Sequence, residues 1–186
     1  EAKNDAREFA AALEAVAGLE ALDGVLGARV HAERGTALRR LGRPAEAHAA
    51  YLVSAARAEA IAWWGWAADV LAAASDQARA ARDDDAARRA AERLVEAGRA
   101  APDPSREGDG WLKTAHLELR ARAYPAAARA FERARTLYER HGEARGTGLA
   151  LAGLFRVAQR TAPSDAVERA AVRVADAWAG RTSWAR

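Results

Sequence analysis

Three alanines spaced 40 residues apart, Ala47, Ala87 and Ala127, constrain this 186-residue chain more than any other feature. The same offset carries Gly35 to Ser75 to Ala115, and Tyr51 to Ala91 to Phe131. Small residues recur where small residues stood, as helical hairpins require, because two helices cross closely only where facing side chains are small. One such hairpin cannot bury its apolar face alone. Copies must stack, and the core then spreads along the chain instead of gathering at one centre.

The stretch from Arg34 to Arg57 shows the unit best. Gly35 and Leu38 share one face of a first helix, Leu41-Gly42-Arg43-Pro44 makes the turn, and Ala47 and Tyr51 lie one turn apart on a second helix. Pro44 sits in the first turn of that helix, where its missing N–H costs nothing. Alanine is the commonest residue and runs of Val, Ile and Thr are absent, so local preference is helical nearly throughout.

This spacing resembles a tetratricopeptide repeat, which keeps a small residue in the middle of the first helix, a Gly at the turn, and an A-x-x-x-aromatic pair in the second. The third unit carries the resemblance too, with Trp111 and Ala115 in the first helix, Tyr124 at the turn, and Ala127 with Phe131 in the second. Thr114 and Glu118 depart from the family's Leu and Tyr, its closing Pro is missing, and the period of 39 to 40 exceeds the family's ~34. Longer Ala-rich units of this kind look like repeats attached to bacterial multidomain signalling regulators. The resemblance implies an all-α, right-handed α-solenoid of about nine antiparallel helices, forming one domain over residues 1–186. It also implies a scaffold that holds a protein or peptide partner on the concave face lined by the first helices.

In chain order, residues 4–22 read as half a repeat, with Asn4 or Asp5 capping its start and Asp23-Gly24 stopping it. Hairpins follow over about 25–60, 61–100, 109–141 and 143–179. The acidic turn at Asp83 to Asp85 stands where carboxylates cap a helix N-terminus. The breaker cluster from Ala101 to Gly110 reads as a loop, with Trp111 opening the third hairpin. Pro163 and Ala166 set the fourth copy 39 residues after the third, and Arg181 to Arg186 read as a frayed end. The chain starts at Glu1 without an initiator Met, and is read as a piece of something longer.

In this register the groove presents Arg29, Thr36, Arg39 and Arg40, then Asp69, Asp76 and Arg79, then His116 and Arg120, then Phe155 and Gln159. The bland alternative is a solvated face of amphipathic helices. Trp63-Trp64-Gly65-Trp66 is a second candidate surface. Trp63 and Trp66 share a helical face and Trp64 points about 100° away, so one neighbouring helix cannot bury all three. Packing between hairpins competes there with a partner-binding or self-association patch, which would make a homo-oligomer.

Other classes of function find little support. There is no Cys, and the four His residues show no metal-ligand spacing, so neither a metal nor a cofactor is expected. No G-x-S-x-G turn, Gly-rich phosphate loop or flanked carboxylate pair occurs, and no catalytic residue is assigned. Nucleic acid is the rival partner: Arg120, Arg122, Arg129, Arg133, Arg135 and Arg140 enrich the third hairpin, but Glu118, Glu132 and Glu139 dilute a stripe meant to track phosphates. Charge-free runs fall short of the roughly 18 residues a spanning helix needs, so no membrane is expected and a cytoplasmic, bacterial setting is.

Overall fold

The computed structural model describes the backbone of residues 2–161 and 164–182 and the side chains of residues 7–161 and 167–176. The protein is all-α. Among the described residues it forms nine helices and no strand: α1 (Ala2–Val16), α2 (Gly24–Arg40), α3 (Pro44–Ala60), α4 (Trp64–Ala80), α5 (Asp84–Ala100), α6 (Ser105–Arg120), α7 (Tyr124–Arg140), α8 (Ala144–Thr161) and α9 (Ser164–Thr182). Two compact units divide the chain, Glu1–Pro102 and Asp103–Arg186. Within each, every helix packs on the next in sequence, the arrangement of a helical solenoid, and in the second unit α6 also touches α8.

A half-unit of 20 residues underlies the 40-residue period. Helices start at 24, 44, 64 and 84, and again at 124, 144 and 164. Every turn between α2 and α5 and between α6 and α8 is closed the same way. Gly42, Ala62, Arg82, Arg122 and Gly142 adopt φ of 72°, 55°, 63°, 60° and 67°. The next residue's N–H reaches back into the helix just ended: Arg43 donates to the Leu38 carbonyl, Asp83 to Ala78 and Glu143 to Tyr138, each at 2.9 Å. This left-handed cap satisfies carbonyls that a helix end leaves open, and it reverses the chain within three residues, which sets neighbouring helices antiparallel.

Position 102 is the next place in the series, and it is a proline. A pyrrolidine ring fixes φ near −65°, so the left-handed turn cannot form. Ala101 is instead extended, with ψ of 150°. The boundary between the two units falls at this point.

Several sequence expectations need correction. α1 starts at Ala2, ahead of Asn4 and Asp5, so neither caps it, and it ends at Val16 well before Asp23-Gly24. Asp23 is the N-cap residue of α2. The segment from Ala101 to Gly110 is a loop only as far as Pro104, because α6 begins at Ser105, six residues before Trp111. Asp103, one residue before the N-cap Pro104, accepts the Ser105 N–H at 3.0 Å, so a carboxylate serves the first N–H of this helix within the run of breakers. The acidic turn behaves as its sequence predicts, with Asp83 accepting the Ala86 N–H at 2.8 Å. Pro163, the side chain of Ala166 on which the fourth-copy register rests, and the end of the chain from Ser183 lie outside the described residues.

Alanine makes the core. Ala47, Ala87 and Ala127 are all fully buried, as are Ala28, Ala55, Ala67, Ala91, Ala115 and Ala134. Such small contacts let helices approach until backbone meets side chain. Ser75 stands at the crossing where the preceding unit has Gly35, and its buried hydroxyl donates to the Ala87 carbonyl at 3.0 Å. Ser54 does the same toward Ala28 at 2.7 Å. Large rings fill the notches that remain. Tyr51 covers Gly35, where a β-carbon would come within 2.8 Å of the ring. On α7, Phe131 and Tyr138 are seven residues apart on one face, and they meet Gly153 and Gly146, seven residues apart on antiparallel α8.

Candidate functional site

Much of the predicted groove turns out to serve the fold. The Thr36 hydroxyl is 3.1 Å from the Tyr51 hydroxyl and so helps seat that ring. Arg40 lies over the Phe9 ring of α1 at 5.9 Å, and Arg29 over the Trp66 ring at 5.9 Å. Asp76 pairs with Arg79 one turn away at 3.6 Å. His116 stands edge-on to the buried Phe131, with ring centres 5.1 Å apart. Phe155 is half-buried, while Arg39 and Asp69 are exposed.

The tryptophan cluster is built into the first unit. Trp63 is the N-cap residue of α4 and not part of the helix. Its ring nevertheless stacks on Trp66 at 4.6 Å with the planes 12° apart. The Trp66 indole N–H donates to Ser54 Oγ at 3.1 Å, so one hydroxyl ties the stack to α3 and, through the Ala28 carbonyl, to α2. Trp63, Trp64 and Trp66 are each half-buried against the same core.

Arg120 and Gln159 do come together. They line an open cleft of about 410 Å³ in the second unit, shared with Leu119, Arg122, Tyr124, Arg156 and Arg160. Its walls are the last turn of α6, the turn that follows it, the first residue of α7 and the last two turns of α8. Four guanidiniums therefore face one space, and no carboxylate lines it. Elsewhere this fold pairs its arginines along a helix, as in Arg43 with Glu46, Arg88 with Asp85 and Arg135 with Glu132. Arg122, Arg156 and Arg160 have no carboxylate partner among the described residues.

Sequence reasoning named Arg122 only in the stripe of the nucleic-acid rival and Tyr124 only as a turn residue, and it missed Arg156 and Arg160. For Arg160 the signal was present. A 39-residue step from Arg120 lands on Gln159, whereas the 20-residue spacing of helix starts makes the step 40 and lands on Arg160. The same 40-residue step carries His116 to Arg156 in place of Phe155, whereas Arg122 and Tyr124 come from the turn between α6 and α7 and the start of α7.

A second charged feature lies at the other end of α6. Tyr138, fully buried, donates its hydroxyl to Asp109 at 2.6 Å. Burial, together with the Asp109 charge, pushes the phenol far above its ordinary range, and burial raises the Asp109 carboxyl despite the bond that phenol gives it. Gly108 and Gly146 flank the ring. This pair seats an aromatic in the core, and its chemistry is that of a packed hydrogen bond.

Among the described residues no three His, Asp or Glu side chains gather as a metal site. No described helix is long and apolar enough to cross a membrane. No protein-family model matches the chain, and no curated protein matches it.

Proposed function

We propose that this chain is a non-catalytic protein-interaction module of tetratricopeptide-like type, a scaffold or regulatory segment of a larger bacterial cytoplasmic protein, which takes an acidic segment of a partner between the ends of α6 and α8. One observation supports this reading above the others: Arg120 and Arg160, equivalent positions in the first helices of successive hairpins, open into a single cleft with Arg122 and Arg156. Stacked repeats place equivalent side chains side by side, and guanidiniums so arranged recognise carboxylates by paired hydrogen bonds. The buried Ser54 and Ser75 hydroxyls donate to backbone carbonyls and serve the packing of the helices.

A labelled glutamate-rich octapeptide, followed by fluorescence anisotropy, tests the reading. The expected result is saturable binding that Arg120→Glu together with Arg160→Glu abolishes, with the helical circular dichroism unchanged. Equal binding by the folded double variant sinks the cleft as the site. A mixed-sequence RNA bound more tightly than the peptide, with affinity falling steeply as salt rises, would move the assignment to nucleic acid.

A further inference from the structure

The cationic cleft of the second unit holds more positive charge than ordinary carboxylates, arriving one at a time, would neutralise. Arg156 and Arg160 are one helical turn apart on α8, a like-charge spacing that disfavours the helix unless something offsets it. Arg120 comes from the last turn of α6 and Arg122 from the left-handed residue of the following turn, at φ 60°. The carbonyl ends of α6 and α8 account for one cation apiece in their last turns. They leave Arg122 and Arg156 unexplained.

Helix ends do not decide the field here. The α6 and α8 carboxyl ends are partly negative and the α7 amino end, at Tyr124, is partly positive, so these contributions oppose one another and the guanidiniums dominate. Tyr124 and Gln159 bring a hydroxyl and an amide to the same rim. At about 410 Å³ the cleft is sized for a compact charged group and a few neighbouring atoms, within the range of small-ligand pockets.

We infer that the cleft formed by Arg120, Arg122, Arg156 and Arg160 is a receptor for a phosphorylated side chain on a partner protein. The inference rests on the interaction-module reading and deepens it by naming the recognised group. A phosphate monoester concentrates a charge of about −1.5 to −2 and three strong acceptor oxygens at one point. Two or three arginine forks converge on such a group with bidentate bonds, whereas a carboxylate offers one charge and two oxygens. Successive carboxylates of an extended peptide point to opposite faces, so only alternate ones could enter one cleft.

A partner protein fits better than nucleic acid because the arginines beyond the cleft are diluted: Arg129 and Arg133 share their pocket with Glu118, and Arg133 lies over the Trp111 ring at 5.5 Å. On α7 the next arginine cluster is interrupted, with Arg135 bonded to both Glu132 and Glu139. A strand of phosphates would need that stripe to continue. The cleft also offers one aromatic, Tyr124, where single-stranded nucleic acid is usually held on several stacking rings.

The experiment uses the whole chain and four probes: a serine octapeptide carrying one phosphoserine, the same peptide with Glu in that place, inorganic phosphate, and a mixed-sequence RNA octamer. Isothermal titration is expected to show the phosphopeptide binding at least about tenfold more tightly than its Glu counterpart, the effect of one further charge-assisted contact. Arg156→Gln and Arg122→Gln, both at exposed positions, should each remove most of that preference while circular dichroism stays unchanged. Equal affinity for the two peptides overturns the phosphate assignment and leaves the module reading standing. No binding of either peptide overturns the phosphate assignment, and the module reading falls with it where the glutamate-rich octapeptide also fails to bind. Inorganic phosphate bound as tightly as the phosphopeptide would make the ligand a free anion and defeat the assignment to a partner. RNA bound more tightly than the phosphopeptide would defeat it in favour of nucleic acid.

Discussion

The Tyr138 ring occupies the space that a β-carbon on Gly146 would need. The ring is fully buried and anchored by its hydroxyl to Asp109, so it cannot swing aside. It also closes over Gly108, where a β-carbon would stand 2.8 Å from the ring, and α7 is thereby fixed between α6 and α8 at the depth of one aromatic. A ring seated on a glycine also occurs in the first unit, with Tyr51 over Gly35. The rings of the A-x-x-x-aromatic pairs, Tyr51 and Phe131, lie against Gly35 and Gly153, so the ring is the spacer and the glycine is its seat.

Gly146→Ala should therefore destabilise the protein by about 1 to 3 kcal/mol through overpacking. In chemical denaturation the double variant Gly146→Ala with Tyr138→Leu should lose less than the two single losses combined, because the smaller side chain relieves the clash. Strictly additive losses would show that the two residues do not share the notch.

The left-handed turns predict opposite signs for two kinds of substitution. Gly42 and Gly142 have open space where a β-carbon would go, so Gly42→Ala and Gly142→Ala isolate the cost of φ near 70°, about 1 kcal/mol each. Ala62→Gly at φ 55° should stabilise by a few tenths to about 1 kcal/mol, since relief of strain competes with greater freedom of the unfolded chain. Thermal melts of the three variants give the signs directly. A less stable Ala62→Gly would mean that the turn is set by something other than backbone strain.

His31 makes the first unit sensitive to acid. The ring is buried at 8% exposure, with Nε2 3.4 Å from the Glu20 carbonyl. Burial lowers its pKa below the usual 6.5, the Glu20 carbonyl opposes that, and the charges of Arg57 and Arg34 reinforce it. The neutral ring is the folded form. Its contribution is complete above the unfolded value and is lost as pH falls through the lowered folded one, at up to about 1.4 kcal/mol per pH unit. Urea titrations at pH 7.5 and pH 5 should show a smaller acid loss for His31→Gln than for the parent. Equal losses would show that another group governs the acid limb.

What could be read from the chain was whatever repeats locally. Helix is written into the alanine content, and the buried small positions at 47, 87 and 127 follow from a 40-residue step that needs no knowledge of contacts. Capping at Asp83 was readable because it involves residues three apart. Local punctuation also misled. The Pro, Gly and Asp run before Trp111 reads as a loop, yet Gly108 and Gly110 are buried inside α6, and Gly108 is small because Tyr138 lies against it.

The cleft could not be read in the same way, because it depends on which faces of α6 and α8 turn outward at their ends. Arg120 and Gln159 were found by repeat arithmetic, but Arg156 and Arg160 are reached only with the 40-residue step that the helix starts set, and Arg122 joins them from the left-handed turn after α6. Sequence by itself determined the helices, their period and the alanines on which they cross, since these follow from side-chain size and spacing along one chain. Tertiary structure decided which arginines lie over rings, as Arg29 and Arg40 do, and which gather around one open space, because that choice is made by neighbours distant in sequence.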